Sequence, residues 1–391
     1  MTDREGDQQL KAIVVGAGVL GVSITYQLAK RGVDVTLLDK GNPGDAASAA
    51  SFAWLNSNTK ELRPYHHLNI ISIAEWALIA RELGDSSWLH SNGHLHVAAT
   101  PAEVEKLLKR AELLESTGYA AIPVAPQEIP RLDPVVRVRN EYELGVFFPG
   151  EGHITVPLLI HDLLAAATGS GATVRASTKV AELLSDTGGV KGVILEDGER
   201  IEGDVVVVSA GAGTGALLET QGVTVRTEGT PGVTVTTSPG TSKLATLLHL
   251  PGLAVRPDAS GRVVVRSSAI DAEIDRQTRT LPQPAIRKLF EQLGEGLTDV
   301  DPTTVRAERI QIAHRPYPID GLPVIGFWDG RPGLYVTIVP TGVTLGALTG
   351  RLAAEEITTG KAPKLLEGFR PSRAIEAANE VAYPDQYAIK R

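Results

Sequence analysis

Apolar and polar positions alternate in register along the first forty residues. Ala12-Ile13-Val14-Val15 is a short apolar run, which predicts a buried strand of the parallel kind. Leu20, Ile24 and Leu28 then recur every four residues, the spacing of one helix face, and Gly32 stands where a helix C-terminal cap belongs. Val33, Val35, Leu37 and Leu38 predict a second strand that ends at Asp39. Further along, residues 191–195 and 200–201 flank Glu196-Asp197-Gly198-Glu199, a hairpin with an Asp-Gly turn. Residues 204–208 form another buried strand, running into Ser209-Ala210-Gly211-Ala212-Gly213. Residues 223–235 and 262–265 read as sheet. Near the end, a strand over 333–339 leads to a glycine-bearing loop, Pro340-Thr341-Gly342-Val343-Thr344, with a small-residue helix expected from Leu345 to about Ile357.

The first strand and helix are joined by Gly16-Ala17-Gly18-Val19-Leu20-Gly21, which fits GxGxxG. Gly16 permits the tight turn, Gly18 lets backbone approach a pyrophosphate, and Gly21 lets helix and strand pack closely. The helix N-terminus offers free N–H groups and a positive dipole end to phosphates. Asp39 lies about 20 residues on, where a carboxylate takes ribose hydroxyls and disfavours a 2′-phosphate. Strand, loop, helix, second strand and acid in this order predict dinucleotide binding. The loop alone does not separate FAD from NAD.

The chain of 391 residues is long enough for two domains, and its 40 glycines suit many tight turns and close backbone approaches. A net charge of −8 argues against nucleic-acid binding, which needs a basic face. With no cysteine, disulfides, thiolate metal sites and cysteine-linked cofactors are excluded. The polar start carries no secretory pattern and no apolar run of about 18 residues occurs, so no membrane span is expected and the cytoplasm is the expected address. His66 and His67 are adjacent but lack further ligands at metal spacing, so no metal is expected.

The order of these pieces resembles the D-amino acid oxidase-like flavoproteins, the family of glycine oxidase and sarcosine oxidase. The resemblance spans nearly the whole chain. It runs through the glycine loop with Asp39, Gly44-Asp45-Ala46-Ala47-Ser48-Ala49-Ala50-Ser51, Leu132-Asp133-Pro134, Gly150-Glu151-Gly152-His153-Ile154-Thr155-Val156-Pro157, the Ser209 turn, Arg315-Pro316, the Thr341-Gly342 loop and Thr349-Gly350. It implies an α/β fold: a Rossmann-like FAD-binding domain over 8–85, 146–220 and 305–380, with an interleaved α+β substrate domain over 86–145 and 221–304 built on a mostly antiparallel sheet.

It also implies the site. Gly16, Gly18, Val19, Leu20 and Gly21 would meet the pyrophosphate, and Asp39 with Lys40 the adenosine ribose. Ala47, Ser48, Ala210 and Gly211 would line the cofactor, and the Val180 backbone would contact adenine. Thr341, Gly342, Val343 and Thr344 would face the N1–C2=O edge of the isoalloxazine. Arg315 would grip a substrate carboxylate with its planar fork. Lys60 and Tyr65 would supply basic and aromatic groups to the pocket, and Arg256 and Arg266 sit on sheet-like segments that face it or solvent. His94 and His96 point to one side of a strand, most simply as a structural pair.

The expected reaction is FAD-dependent oxidation of a C–N bond in a small amino acid or amine, with electrons passing to O2 or another acceptor. Two departures stand out. Gly261-Arg262-Val263-Val264-Val265-Arg266 lacks the lysine with which sarcosine oxidases activate oxygen, Arg266 being the nearest substitute, and the flavin loop begins Val339-Pro340 in place of Gly-His. Without cysteine, and with no histidine in residues 41–65, FAD is expected to be noncovalent. A dehydrogenase of hydroxy acids or polyols and a non-catalytic flavin-fold subunit remain the alternatives.

Overall fold

A computed structural model describes residues 9–60, 62–225, 227–275, 278 and 280–376. The ends of the expected FAD-domain ranges, residue 8 and residues 377–380, lie outside these.

The apolar runs form a six-stranded sheet in the order Val324–Phe327, Leu334–Ile338, Val205–Val208, Lys11–Val15, Asp34–Leu38 and Thr173–Arg175. Its pairings are parallel except for the edge strand Val324–Phe327. Both faces are covered, which is why these strands carry no polar alternation. Ala12 and Val14 point into one core with the helices Val19–Ala29, Val156–Gly169 and Gly342–Thr359. Ile13 and Val15 point into another beneath the meander Val180–Asp186, Gly189–Leu195 and Arg200–Glu202.

Strands Lys11–Val15 and Val205–Val208 are neighbours, so the turns that follow them meet. Gly16 has φ +105°, and a Cβ there would overlap the Ser209 carbonyl oxygen. At the same end, helices Val19–Ala29 and Gly342–Thr359 pack backbone to backbone. A Cβ at Gly346 would lie 2.7 Å from Val19 Cγ1, and one at Gly350 2.7 Å from the Ser23 carbonyl oxygen.

The second sheet has eight strands: Ala307–Pro318, Thr227–Thr237, Arg262–Arg266, Leu253–Asp258, Leu247–Leu250, His94–Ala98, Leu144–Phe148 and Ile122–Val124. It is mixed: Leu247–Leu250 and His94–Ala98 run parallel, and the other neighbours run antiparallel. Period-two alternation separates its faces. Val263 and Val265 join a core with Ile286, Leu289, Phe290 and Leu293 of helix Gln283–Gly296. Val264 and Ala254 face the other way, onto Phe52.

The structure departs from the sequence reading in where the last helix begins and in how the ranges divide. The helix starts at Gly342, not Leu345, so Gly342, Val343 and Thr344 are its first turn and the loop is shorter. The first turn is held in place by the Trp76 indole on the Val343 carbonyl and by Thr344 on the Trp54 carbonyl. The expected ranges also cut across the sheets. Ala307–Pro318 is the edge of the eight-stranded sheet, held by pairing along Thr227–Thr237, and Leu144–Phe148 lies in the same sheet. Among the described residues no helix is long and apolar enough to cross a membrane.

The Gly21 position is the least tolerant in the loop, since a Cβ there would overlap the Gly16 carbonyl oxygen. Gly21→Ala is expected to cost about 3 kcal/mol or more. A lowered denaturant midpoint at unchanged slope would show this; an unchanged midpoint would refute the close packing.

Candidate active site

The glycine loop is fastened from several sides. Gly16 N–H donates to the Leu38 carbonyl at 2.8 Å. The Asp39 carboxylate accepts from Ala17 N–H at 2.6 Å through one oxygen and from Gly41 N–H at 2.8 Å through the other. Half-buried Ser48 accepts from Val19 N–H at 3.1 Å, while Lys40 is exposed. The backbone of 175–178 runs beside residues 39–41, with Thr178 N–H donating to the Asp39 carbonyl at 2.7 Å, and this brings buried Val180 to the same side. Ala210 lies against Gly16, followed by Gly211 in the left-handed region at φ +57°. Gly16, Gly18, Gly21, Asp39, Ser48 and Ala210 are thus neighbours around the turn at the carboxyl ends of the parallel strands, the end at which such sheets bind ligands.

A second helix N-terminus opens beside the first. Thr341 precedes the first turn of Gly342–Thr359, which has no side-chain cap, while Val19–Ala29 receives none from Gly18 and has its first N–H on the Ser48 hydroxyl. Thr341 Oγ1 is 2.9 Å from Tyr65 Oη. Thr344 donates to the Trp54 carbonyl at 3.0 Å, and the Trp76 indole donates to the Val343 carbonyl at 2.9 Å. Lys60 is buried. Its Nζ lies 2.7 Å from Thr59 Oγ1 and 5.6 Å from the centre of the Tyr65 ring. Burial pushes its pKa down to about 8, against the attraction of Glu151.

The face of the large sheet that carries Phe52 also carries the arginines. Arg266 shares the parity of Val264 on its strand. Arg315 shares the parity of Gln311, which pairs with Thr234, whose hydroxyl reaches the Ala50 carbonyl at 3.5 Å. The two guanidinium groups converge on one carboxylate: Asp271 Oδ2 is 3.2 Å from Arg266 Nη2 and 4.0 Å from Arg315 Nη2. Asp271 is itself fixed by the Val233 N–H at 2.9 Å. Burial and the charge of Arg315 lower the pKa of Arg266. Arg315 Nε is buried with no hydrogen-bond partner among the described residues, and the guanidinium lies across Gly232, where a Cβ would stand 3.2 Å from Nη2. Arg256 is placed differently: its Nε holds the Phe52 carbonyl at 2.9 Å and its charge lies 3.6 Å from Asp258.

The residues 50–60 bridge the sheet face and the helix start, and Glu151 anchors them. Its buried carboxylate accepts from Trp54 Nε1 (2.9 Å), the backbone N–H of Ser57 and Asn58 (3.2 and 3.1 Å), Asn58 Nδ2 (2.8 Å), Tyr119 Oη (2.6 Å) and His94 Nδ1 (3.0 Å). Burial alone would raise its pKa; these donors reverse the sign and hold it below the usual value. His94 and His96 do share one side, with ring centres 5.8 Å apart. Sequence reasoning gave no role to Glu151, Asp271, Gly232 or His249. Glu151 stands inside the family-like segment 150–157, and its burial was the missing signal; the others are joined only by tertiary contacts. Among the described residues no cluster could hold a metal ion.

Residues 11–356 match the family model described as FAD dependent oxidoreductase. The chain belongs to this family. It is 26% identical over 372 residues to a glycine oxidase of Geobacillus kaustophilus, covering 93% of this chain and 96% of that protein. It is 25% identical to an opine oxidase component of Agrobacterium tumefaciens, covering 92% and 96%. The structure of L-proline dehydrogenase from P. horikoshii superposes with a TM-score of 0.82 at 20% identity, covering 95% of this chain and 99% of that one. The cofactor of the family is FAD, and the absence of cysteine leaves no thioether route to it.

The buried Lys60 gives this family member a testable pH signature. Its folded pKa, about 8, lies below the ordinary 10.5, so between these values the unfolded chain holds more protons and stability rises with pH. Denaturant midpoints measured across that window are expected to climb by up to about 3 kcal/mol, and Lys60→Met is expected to remove the climb. A flat profile in the wild type would mean that Lys60 is solvated.

Proposed function

We propose that this chain is an FAD-dependent oxidoreductase that oxidises the C–N bond of a small amino acid or amine to an imine. The observation that carries the reading is the Arg315 fork. It lies on the sheet face that meets the bridge to the second helix N-terminus, laid over a residue without a side chain, with a buried donor unspent. A guanidinium fork in that state matches a carboxylate in charge and in geometry. The names of the relatives, glycine oxidase and opine oxidase, agree with a substrate that has a carboxylate next to a carbon–nitrogen bond.

The chain fits FAD by its own features: a glycine turn that excludes a Cβ, and two helix N-termini opening side by side. In this reading Gly16, Gly18, Val19, Leu20 and Gly21 hold the pyrophosphate, Asp39 and Lys40 the ribose, and Val180 the adenine. Ala47, Ser48, Ala210 and Gly211 line the path. Thr341, Gly342, Val343 and Thr344 present N–H groups to the flavin's N1–C2=O edge, with Lys60 and Tyr65 behind them, and the cofactor is held noncovalently. The six-stranded sheet forms the cofactor domain. The eight-stranded sheet, in which antiparallel pairings predominate, forms the substrate domain.

Bound FAD supplies the hydride acceptor. The protein's share is positioning and electrostatics. Arg315 fixes the carboxylate, Arg266 adds charge beside it, and Asp271 orients both guanidinium groups. The helix dipole and Lys60 favour negative charge at the flavin edge. Electrons then leave for O2 or another acceptor.

Two measurements test this. Anaerobic addition of amino acids, N-methyl amino acids and cyclic imino acids is expected to bleach the flavin band near roughly 450 nm, and bleaching only by hydroxy acids would replace the reading. Arg315→Met is expected to lower kcat/KM for a carboxylate substrate about 100-fold, mainly through KM, the value of a lost charge-assisted pair. Unchanged kinetics would remove Arg315 from the site.

A further inference from the structure

Four strands place a row of side chains on the substrate face. His96 pairs with His249, His249 with Ala254, and Ala254 with Arg266. Registered neighbours share a face, so His249 and Arg266 stand two strands apart, about 10 Å, with Ala254 on the strand between them. His249 is half-buried, with Trp54 at 4.5 Å and Phe52 at 6.0 Å between ring centres. Behind it runs a hydrogen-bonded chain: Glu151 Oε2 to His94 Nδ1 at 3.0 Å, and His94 Nε2 to His249 Nδ1 at 2.9 Å.

Donor and acceptor rules constrain the protons along this chain. The Glu151 carboxylate only accepts, so His94 Nδ1 carries hydrogen. The 3.3 Å approach of Asn58 Nδ2 to that atom is then between two donors, the amide hydrogen going to Glu151 at 2.8 Å. In the relay drawn here His94 offers Nε2 as the acceptor and His249 donates from Nδ1, across 2.9 Å. This leaves His249 Nε2 as a bare lone pair on the substrate face. Burial, with the charges of Arg266 and Arg110 adding to it, lowers the pKa of His249 well below the ordinary value, so the ring rests neutral at neutral pH. Burial likewise pushes His96 down to about 3. Glu151 is the anionic group linked to the ring, through His94.

We propose that Glu151, His94 and His249 form a proton relay that takes the proton from the substrate ammonium. The N–H bond of the ammonium breaks and a bond to His249 Nε2 forms, directly or through one water. The neutral amine left behind has the lone pair that its α-carbon needs for oxidation. The imidazolium is compensated by Glu151 through His94, as a buried carboxylate steadies a histidine base elsewhere. His249 is the catalytic member; His94 and Glu151 are positioning residues. The proposal rests on the amine reading above.

Its test is the rate of flavin reduction by the best amine, in wild type, His249→Gln and Glu151→Gln, at neutral pH and at a pH above the amine's own pKa. About a 100-fold loss at neutral pH is expected, recovered at high pH, where the amine arrives already deprotonated. A loss that is equal at both pH values, or no loss, overturns the relay. Nitrogen-15 histidine spectra of the FAD-loaded wild type give an independent readout. His249 is expected protonated at Nδ1 and bare at Nε2, and the reverse tautomer overturns the proposal. If no amine reduces the flavin, the functional reading fails, and the spectra still show whether the chain is ordered as drawn.

Discussion

Everything in this molecule depends on how closely two helix N-termini approach one another. Val19–Ala29 and Gly342–Thr359 touch backbone to backbone because Gly346 and Gly350 remove the side chains that would hold them apart. Bulkier residues would drive the helices apart and spread the two sets of leading N–H groups. The crevice at the strand ends would then lose the concentration of positive dipole that suits an anionic cofactor. The turn at Gly16 against Ser209 is the same constraint met one layer down, in the sheet.

The second structural decision is the use of a buried anion as a hub. Glu151 gathers six donors from the residues 54–58, helix-linked Tyr119 and strand-borne His94. A desolvated carboxylate is costly unless it is satisfied, and here it is satisfied by groups from distant parts of the chain. The segment it pins carries Lys60, and touches the last helix through the Trp54 carbonyl. Arg266 and Arg315 reach the same region from the sheet, steadied by Asp271.

The legible parts of this chain are the local ones. Residues 12–39 announce strand, turn, helix and strand because their patterns are periodic and their glycines have steric reasons. Arg315 and Lys60 are visible as charged residues inside recognisable segments. The start of the last helix is hidden because glycine and threonine favour loops by propensity, while the turn is held by tertiary bonds, Trp76 to the Val343 carbonyl and Thr344 to the Trp54 carbonyl. His249, Asp271 and Gly232 are invisible for another reason. Each owes its meaning to a register across strands or to a guanidinium arriving from far along the chain, and no local pattern encodes that.

The single parallel pairing in the eight-stranded sheet bears on how the chain folds. His94–Ala98, Leu144–Phe148 and Ile122–Val124 form one antiparallel half, and the strands from Leu247 onward with Thr227–Thr237 form the other. They are sewn together only where Leu247–Leu250 meets His94–Ala98. That seam has long loop closure and high contact order, so it is slow to form. During synthesis the first half waits, with an open edge, until residue 250 has emerged. The His94–His249 hydrogen bond spans this seam, so it cannot form until the two halves have joined.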